Sequence, residues 1–322
     1  MKGIEILAKE EINKRFVDTY LFICFASFEG RSTTTALSLY GNQIESSTIF
    51  KTVNTTNDYA INKIIEKLPQ SKIVEFDLRN PVRIAQILTD CIKELSVYEL
   101  PLVIDITTFT HEILAMLIKL IYNNKEFFPK VFLLYNGACD YSDSKESGLN
   151  QMWLSKGCRD VRNIIGYTGI NRPILKNCLI VLTGFELERA TGLIKKLEPD
   201  KLIIGLGVDP IHENNENAMH YFHEKFTEWK DNYKNYIRTE FEFSCKDISK
   251  TINSISDIIS SSQEYNYIIV PLNTKLSTVA ASIVALQKPS IQLCYSIPEV
   301  YNTLTYSKPS DKITVVDLYN II

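Results

Sequence analysis

The sequence predicts an α/β fold with mostly parallel sheets and helices on both faces, and three observations predict it. Apolar runs of strand length alternate with helical stretches, the same landmarks occur twice in one order, and turns rich in hydroxyl and charged side chains follow the strands.

The first step is the apolar run 20–25, followed by small and polar residues 27–35 and a helical stretch around 36–40. Residues 73–76 form a second strand. The helix 82–95 after it places Ile84, Ile87, Leu88, Cys91, Ile92 and Leu95 on one face, with Pro81 suited to its first turn. Residues 102–106 make a third strand, 113–121 its helix and 131–135 a fourth strand. Strands alternating with helices in this way imply right-handed crossovers in a parallel sheet.

From residue 178 the same order begins again. A strand at 179–182 leads to a helix ending at Leu197, 201–204 is the next strand, and the strand 267–270 precedes the helix 279–286. Phe28-Glu29-Gly30-Arg31 corresponds to the segment from Phe185 to Arg189, 157 positions on (185 minus 28). Phe76 matches Phe243, Thr108 matches Thr274, and Tyr135 and Tyr141 match Tyr295 and Tyr301. The prediction is therefore two tandem Rossmann-like units arising by internal duplication, 1–141 and 178–322, joined by a connector at 142–177. The functional surface is expected where the strand ends of the two copies meet. Within the connector Trp153 and Tyr167 are read as sealing aromatics, with ligand contact by Arg159 or Arg162 as the alternative.

Composition narrows the classes. The 322 residues suffice for two domains of roughly 150 residues, and 45% hydrophobic with 23% charged residues is globular rather than disordered. A net charge of −3 supplies no field for an extended nucleic-acid surface or an anionic membrane. Seven scattered cysteines without a Cys-x-x-Cys pair suggest free thiols in a cytoplasmic protein. The N-terminal charges Lys2, Glu5, Lys9, Glu10 and Glu11 do not follow the plan of a signal peptide, and the apolar stretch 113–122 is too short to span a bilayer.

In open parallel sheets ligands collect beyond the carboxyl ends of strands, where helix N-termini present free N–H groups. Three kinds of turn fall there. In the first, Glu29 and Arg31 are matched by Glu186 and Arg189. A capping box from Thr183 to Glu186 explains part of the pattern, but a cation near a helix start opposes the dipole unless a carboxylate or ligand anion offsets it. In the second, Asn273, Thr274 and Lys275 join Ser277 and Thr278 in the composition of an anion site, with simple capping as the alternative. The equivalent first-half turn contains Asp105, Thr107, Thr108, His111 and Glu112. The third carries Gly205 and Gly207, which permit close backbone approach but lack the last glycine of a dinucleotide fingerprint. His212, His220 and His223 follow, and no metal or other cofactor is expected from them.

Asn273-Thr274-Lys275-Leu276 before an alanine-rich helix resembles the Gly-Thr-Lys turn of CARF domains, the CRISPR-associated Rossmann-fold ligand sensors, with Asn273 in place of the usual glycine. A tandem copy in one chain resembles the fused arrangement called SAVED. The resemblance implies cyclic-oligonucleotide binding, with contacts on Thr274 and Lys275 and, by internal symmetry, Thr107 and Thr108.

Two functions follow. One is a nucleotide-binding sensor or adaptor, of the kind that serves antiviral defence, acting through a separate effector protein. The other is an enzyme of hydrolase or glycosidase type acting on a nucleotide or phosphorylated metabolite, with Asp105, Glu112 or Glu29 as acid or base. The absence of Walker, nucleophile-elbow and HExxH motifs favours the first.

Overall fold

Long apolar runs such as Tyr20–Phe25, buried at every residue, belong to the middle of a sheet covered on both faces. The structure is a computed structural model and describes residues 3–53, 59–141, 153–209, 216–234, 237–262, 264–303 and 307–322. The chain divides into two compact units, Met1–Cys139 with Ser307–Ile322, and Asp140–Tyr306.

The first unit begins with β1 (Ile4–Ala8) and the short α1 (Ile12–Arg15), then alternates β2 (Tyr20–Phe25), α2 (Arg31–Ser38), β3 (Ile44–Thr52), α3 (Tyr59–Lys67), β4 (Lys72–Phe76), α4 (Pro81–Ser96), β5 (Leu102–Asp105), α5 (His111–Asn123) and β6 (Val131–Tyr135). Next comes β7 (Ala138–Tyr141), at the division. The second unit contains β8 (Ser155–Lys156), β9 (Asp160–Thr168), β10 (Lys176–Thr183), α6 (Leu187–Leu197), β11 (Lys201–Val208), α7 (Glu216–Tyr233), β12 (Ile237–Ser244), α8 (Ile248–Ser260), β13 (Tyr265–Pro271), α9 (Lys275–Gln287), β14 (Gln292–Ile297) and β15 (Val300–Tyr301). The chain ends with β16 (Ser307–Pro309) and β17 (Lys312–Asp317).

Among the described residues the first sheet runs β1-β17-β6-β5-β2-β3-β4 and the second β12-β11-β10-β13-β14-β9. Numbered along each unit, the five parallel strands take the same order, 3-2-1-4-5, in both. An antiparallel strand lies beside the fifth in each case, β17 against β6 and β9 against β14. The α/β class and the mostly parallel sheets are what the sequence led us to expect.

Alternation along β2 sends Tyr20, Phe22 and Cys24 into a core shared with Ala36 of α2 and Ile61 and Ile64 of α3. The opposite set, Leu21, Ile23 and Phe25, is equally buried, and on that side Phe25 meets Phe76 and Phe109. Likewise, Leu179 and Val181 of β10 share a core with Leu193 of α6 and Phe226 and Trp229 of α7.

The expected boundaries need two corrections. The second unit does not run to residue 322, because β17 pairs with β1 and β6 of the first sheet and inserts Ile313 and Val315 into its core. Nor are residues 142–177 only a connector. Their described part contains β9, whose residues 160–168 pair with β14 and bury Ile164 and Tyr167. Both strands pair with strands remote in sequence, β14 and β6, so local periodicity carried no sign of their partners.

Candidate functional site

The turns after the first strand of each unit are built alike. In the first unit Arg31 donates to Glu29 Oε2 from Nε at 2.9 Å and Nη2 at 2.5 Å, and from Nη1 to the Asn136 carbonyl at 3.2 Å. Ser307 Oγ donates to the same Glu29 oxygen at 3.0 Å. In the second unit Arg189 bridges Glu186 and the Ser296 carbonyl, and Ser155 donates to Glu186. A serine, a carboxylate, an arginine and a carbonyl at the end of the fifth strand thus form the same relay twice. Arg31 and Arg189 are 5% and 2% exposed, so the expectation that they contact a ligand is corrected. The carboxylate, not a ligand anion, offsets the cation. The expected capping box is also absent: Thr183 donates to the Gly205 carbonyl at 2.6 Å, and Glu186 is the N-cap residue of α6 without a side-chain capping bond.

The turn after β5 is closed by its own side chains. Asp105 Oδ1 accepts from Thr107 N at 3.0 Å and Thr107 Oγ1 at 2.5 Å, while Thr107 Oγ1 accepts from Asn136 N at 2.9 Å. Asn136 Nδ2 then donates to the carbonyls of Ser310 and Lys312, at 2.9 and 2.8 Å, which ties the network to β17. Burial pushes Asp105 up to about 6, against the opposing effects of the Thr107 hydroxyl and amide, the Thr35 hydroxyl and the Arg31 charge.

Thr108 donates to the Phe25 carbonyl at 2.5 Å, and Thr110, not Thr107 or Thr108, caps α5. His111 and Glu112, in the first turn of α5, are buried. Thr107 and Thr108 are therefore internal fasteners rather than ligand contacts. Asp105 and Glu112 are likewise buried, and the half-buried Glu29 is engaged by Arg31 and Ser307.

In the second unit Asn273 Nδ2 donates to the Thr183 carbonyl at 2.6 Å, as Thr108 does to Phe25. Each bond fastens the fourth-strand turn to the last residue of the central strand. Asn273 Oδ1 accepts from Thr274 N at 2.8 Å, and Thr274 Oγ1 accepts from Ser277 N as the cap of α9. The matching caps are thus Thr110 and Thr274, two positions from the sequence alignment of Thr108 with Thr274. Lys275 opens α9 and is half-buried. Cys245 donates to Asn273 Oδ1, and burial pushes this thiol up to about 12.

Gly205 and Gly207 are not in a turn. They lie inside β11, where a Cβ would come within 2.9 Å of Phe241 and 2.6 Å of Asn273 Nδ2 and Cys245 Sγ. Their role is close packing, and at Gly207 it makes room for Asn273. Gly184 is tighter still, since a Cβ there would fall 2.2 Å from the Leu272 carbonyl oxygen.

Sequence reasoning missed Ser155, Ser307, Asn136 and Ser296. A signal existed for Ser155 and Ser307, each five positions before the antiparallel strand beside the fifth, β9 or β17 (160 minus 155 and 312 minus 307), but those strands were unrecognised. Of the histidines, His212 and the His220 side chain lie outside the described residues, and His223 is exposed. Among the described residues no group of three His, Cys, Asp or Glu is placed to hold a metal ion, and no helix is long and apolar enough to cross a membrane. No protein-family model matches the chain, and no curated protein matches it.

Proposed function

We propose that this chain is a ligand sensor or adaptor of CARF-like type, a tandem pair of Rossmann-like units that binds a nucleotide, such as a cyclic oligonucleotide, and signals to a separate effector protein in antiviral defence. The observation that carries this reading is the α9 turn. Asn273 holds it against the end of the central strand, Thr274 caps the helix, and a half-buried lysine stands at the first helical position. An anion bound at this helix start would meet the free N–H groups of the first turn together with the Lys275 ammonium. The repeated strand order and the repeated relay support duplication.

The enzymatic alternative is weakened by burial, because Asp105 and Glu112 are only 2% and 1% exposed and Glu29 is held by Arg31. A sensor needs complementarity, not a reactive group.

Equilibrium binding to a panel of mononucleotides, cyclic dinucleotides and larger cyclic oligonucleotides tests the proposal. Lys275→Ala should weaken binding of the preferred ligand about tenfold or more, since charge-assisted contacts contribute roughly 1.5–3 kcal/mol. The ligand should be recovered chemically intact by chromatography after long incubation. Unchanged affinity in the variant would remove the α9 turn from the site, and conversion of the ligand would establish an enzyme.

A further inference from the structure

The second unit contains an open cavity of about 420 Å³ that the reading above does not use. This volume lies within the roughly 300–1,000 Å³ range of small-molecule sites. It is lined by the short strand β8 with Trp153 before it, by the start of α6 and by α7. The walls are held firmly. Ser155 donates to Glu186, and Gly157 N donates to Glu188 Oε2 at 2.8 Å, which fastens the β8 segment to α6. Trp229 of α7 donates its indole N–H to Thr191 Oγ1 of α6 at 2.9 Å.

The lining has a definite chemistry. Trp153, Phe185, Phe222 and Trp229 bring four aromatic rings to one cavity, with Phe185 and Phe222 meeting edge to face at 5.7 Å. Because the Trp229 donor is already satisfied by Thr191, that ring offers the cavity apolar surface. Lys156 Nζ lies 4.7 Å from the centroid of Trp153. Glu186 is taken up by Arg189, so the remaining charges balance: Lys156 and Lys225 against Glu188 and Glu228. A balanced rim provides no net field for a multiply charged anion, but it supplies donors and acceptors beside aromatic faces.

We infer that this cavity is a second binding site, for an uncharged planar heterocycle of nucleoside size that stacks on its aromatic walls and bonds in plane to the lysines and carboxylates of the rim. The site is separate from the α9 turn and does not depend on what that turn binds.

Trp153 and Trp229 are the chain's two tryptophans, so fluorescence excited selectively at tryptophan reports on the cavity. Titration with adenosine, guanosine, cytidine and uridine should give a saturable change with at least one of them. Trp153→Ala, read through Trp229, should weaken that binding about tenfold, in keeping with the loss of one stacking partner. Trp153→Phe should retain it within about threefold, and Lys275→Ala should leave it unchanged, with an unaltered melting temperature showing that each variant is folded. No saturable change with any nucleoside at millimolar concentration would overturn the inference. So would binding that survives Trp153→Ala, or binding that Lys275→Ala abolishes, since the latter puts the ligand in the α9 turn.

Discussion

Replacing Asp105 by Asn tests the buried network of the first unit, because the amide oxygen can still accept both bonds from Thr107 while the titratable charge is gone. Burial raises this carboxyl from 3.8 to about 6. A folded state that holds its proton more tightly than the unfolded chain is favoured at low pH. The contribution of Asp105 is therefore full below about 3.8, declines through the window between, and is lost above about 6. The gap of about 2.2 units (6 minus 3.8), at about 1.36 kcal/mol per unit, corresponds to about 3 kcal/mol. Other carboxylates titrate over the same range, so the useful quantity is the stability of the Asn variant minus that of the native protein. Urea unfolding at intervals from pH 4 to 7.5 should show this difference moving by about 2.4 kcal/mol in favour of Asn as pH rises, the remainder lying below pH 4. A difference constant to within about 0.5 kcal/mol would mean that Asp105 ionises in the fold without penalty, and the reasoning from burial would fail.

Glu186→Gln should cost about 3–5 kcal/mol in denaturant unfolding, because Arg189 would remain buried without a countercharge; a loss below about 1 kcal/mol would show the pair to be dispensable. Gly184→Ala should destabilise by about 1–3 kcal/mol or displace the α9 turn, since its Cβ would overlap the Leu272 carbonyl. Gly30→Ala, whose nearest neighbour would be Pro309 Cδ at 3.9 Å, is the matched control and should stay within about 0.5 kcal/mol. Deleting residues 307–322 should unfold the first unit. It removes Ile313, Val315 and Val316, each contributing about 1.5–3 kcal/mol by burial, from a domain whose net stability is of order 5–15 kcal/mol. Proteolysis that leaves residues 1–139 intact after this deletion would contradict the assignment of β17 to that core.

What could be read from the sequence was what local pattern encodes. The central strands are uninterrupted apolar runs and α4 is amphipathic behind Pro81, so both were recognised from residue type alone. β3 was not, because its first half is Ile-Glu-Ser-Ser-Thr, polar residues that become a strand through pairing with β2 and β4. β9 and β17 were given to the wrong segments for a related reason, their partners being more than a hundred residues away. At the site, the pairing of Glu with Arg in both first-strand turns was visible. Which partner would neutralise each arginine was not, since that depends on burial and on the fifth-strand carbonyls of Asn136 and Ser296.

On the duplication reading, the fourth-strand turns of the two copies have diverged in opposite directions. Both are fastened to the central strand by one side-chain donor, Thr108 to Phe25 and Asn273 to Thr183, and both end in a threonine cap. Beyond the cap the first copy places the buried His111 and Glu112, and behind it Asp105 and Thr107 satisfy one another. The second copy places Lys275, half-buried, at the helix start. A buried carboxylate network stabilises one arrangement of its turn and leaves little polar capacity for a ligand. A lysine at the positive end of a helix stands where a bound anion would meet both the ammonium and the free N–H groups of the first turn, which is why the proposal places the ligand there. The proposal accordingly assigns anion recognition to the turn of the second copy and a structural role to that of the first.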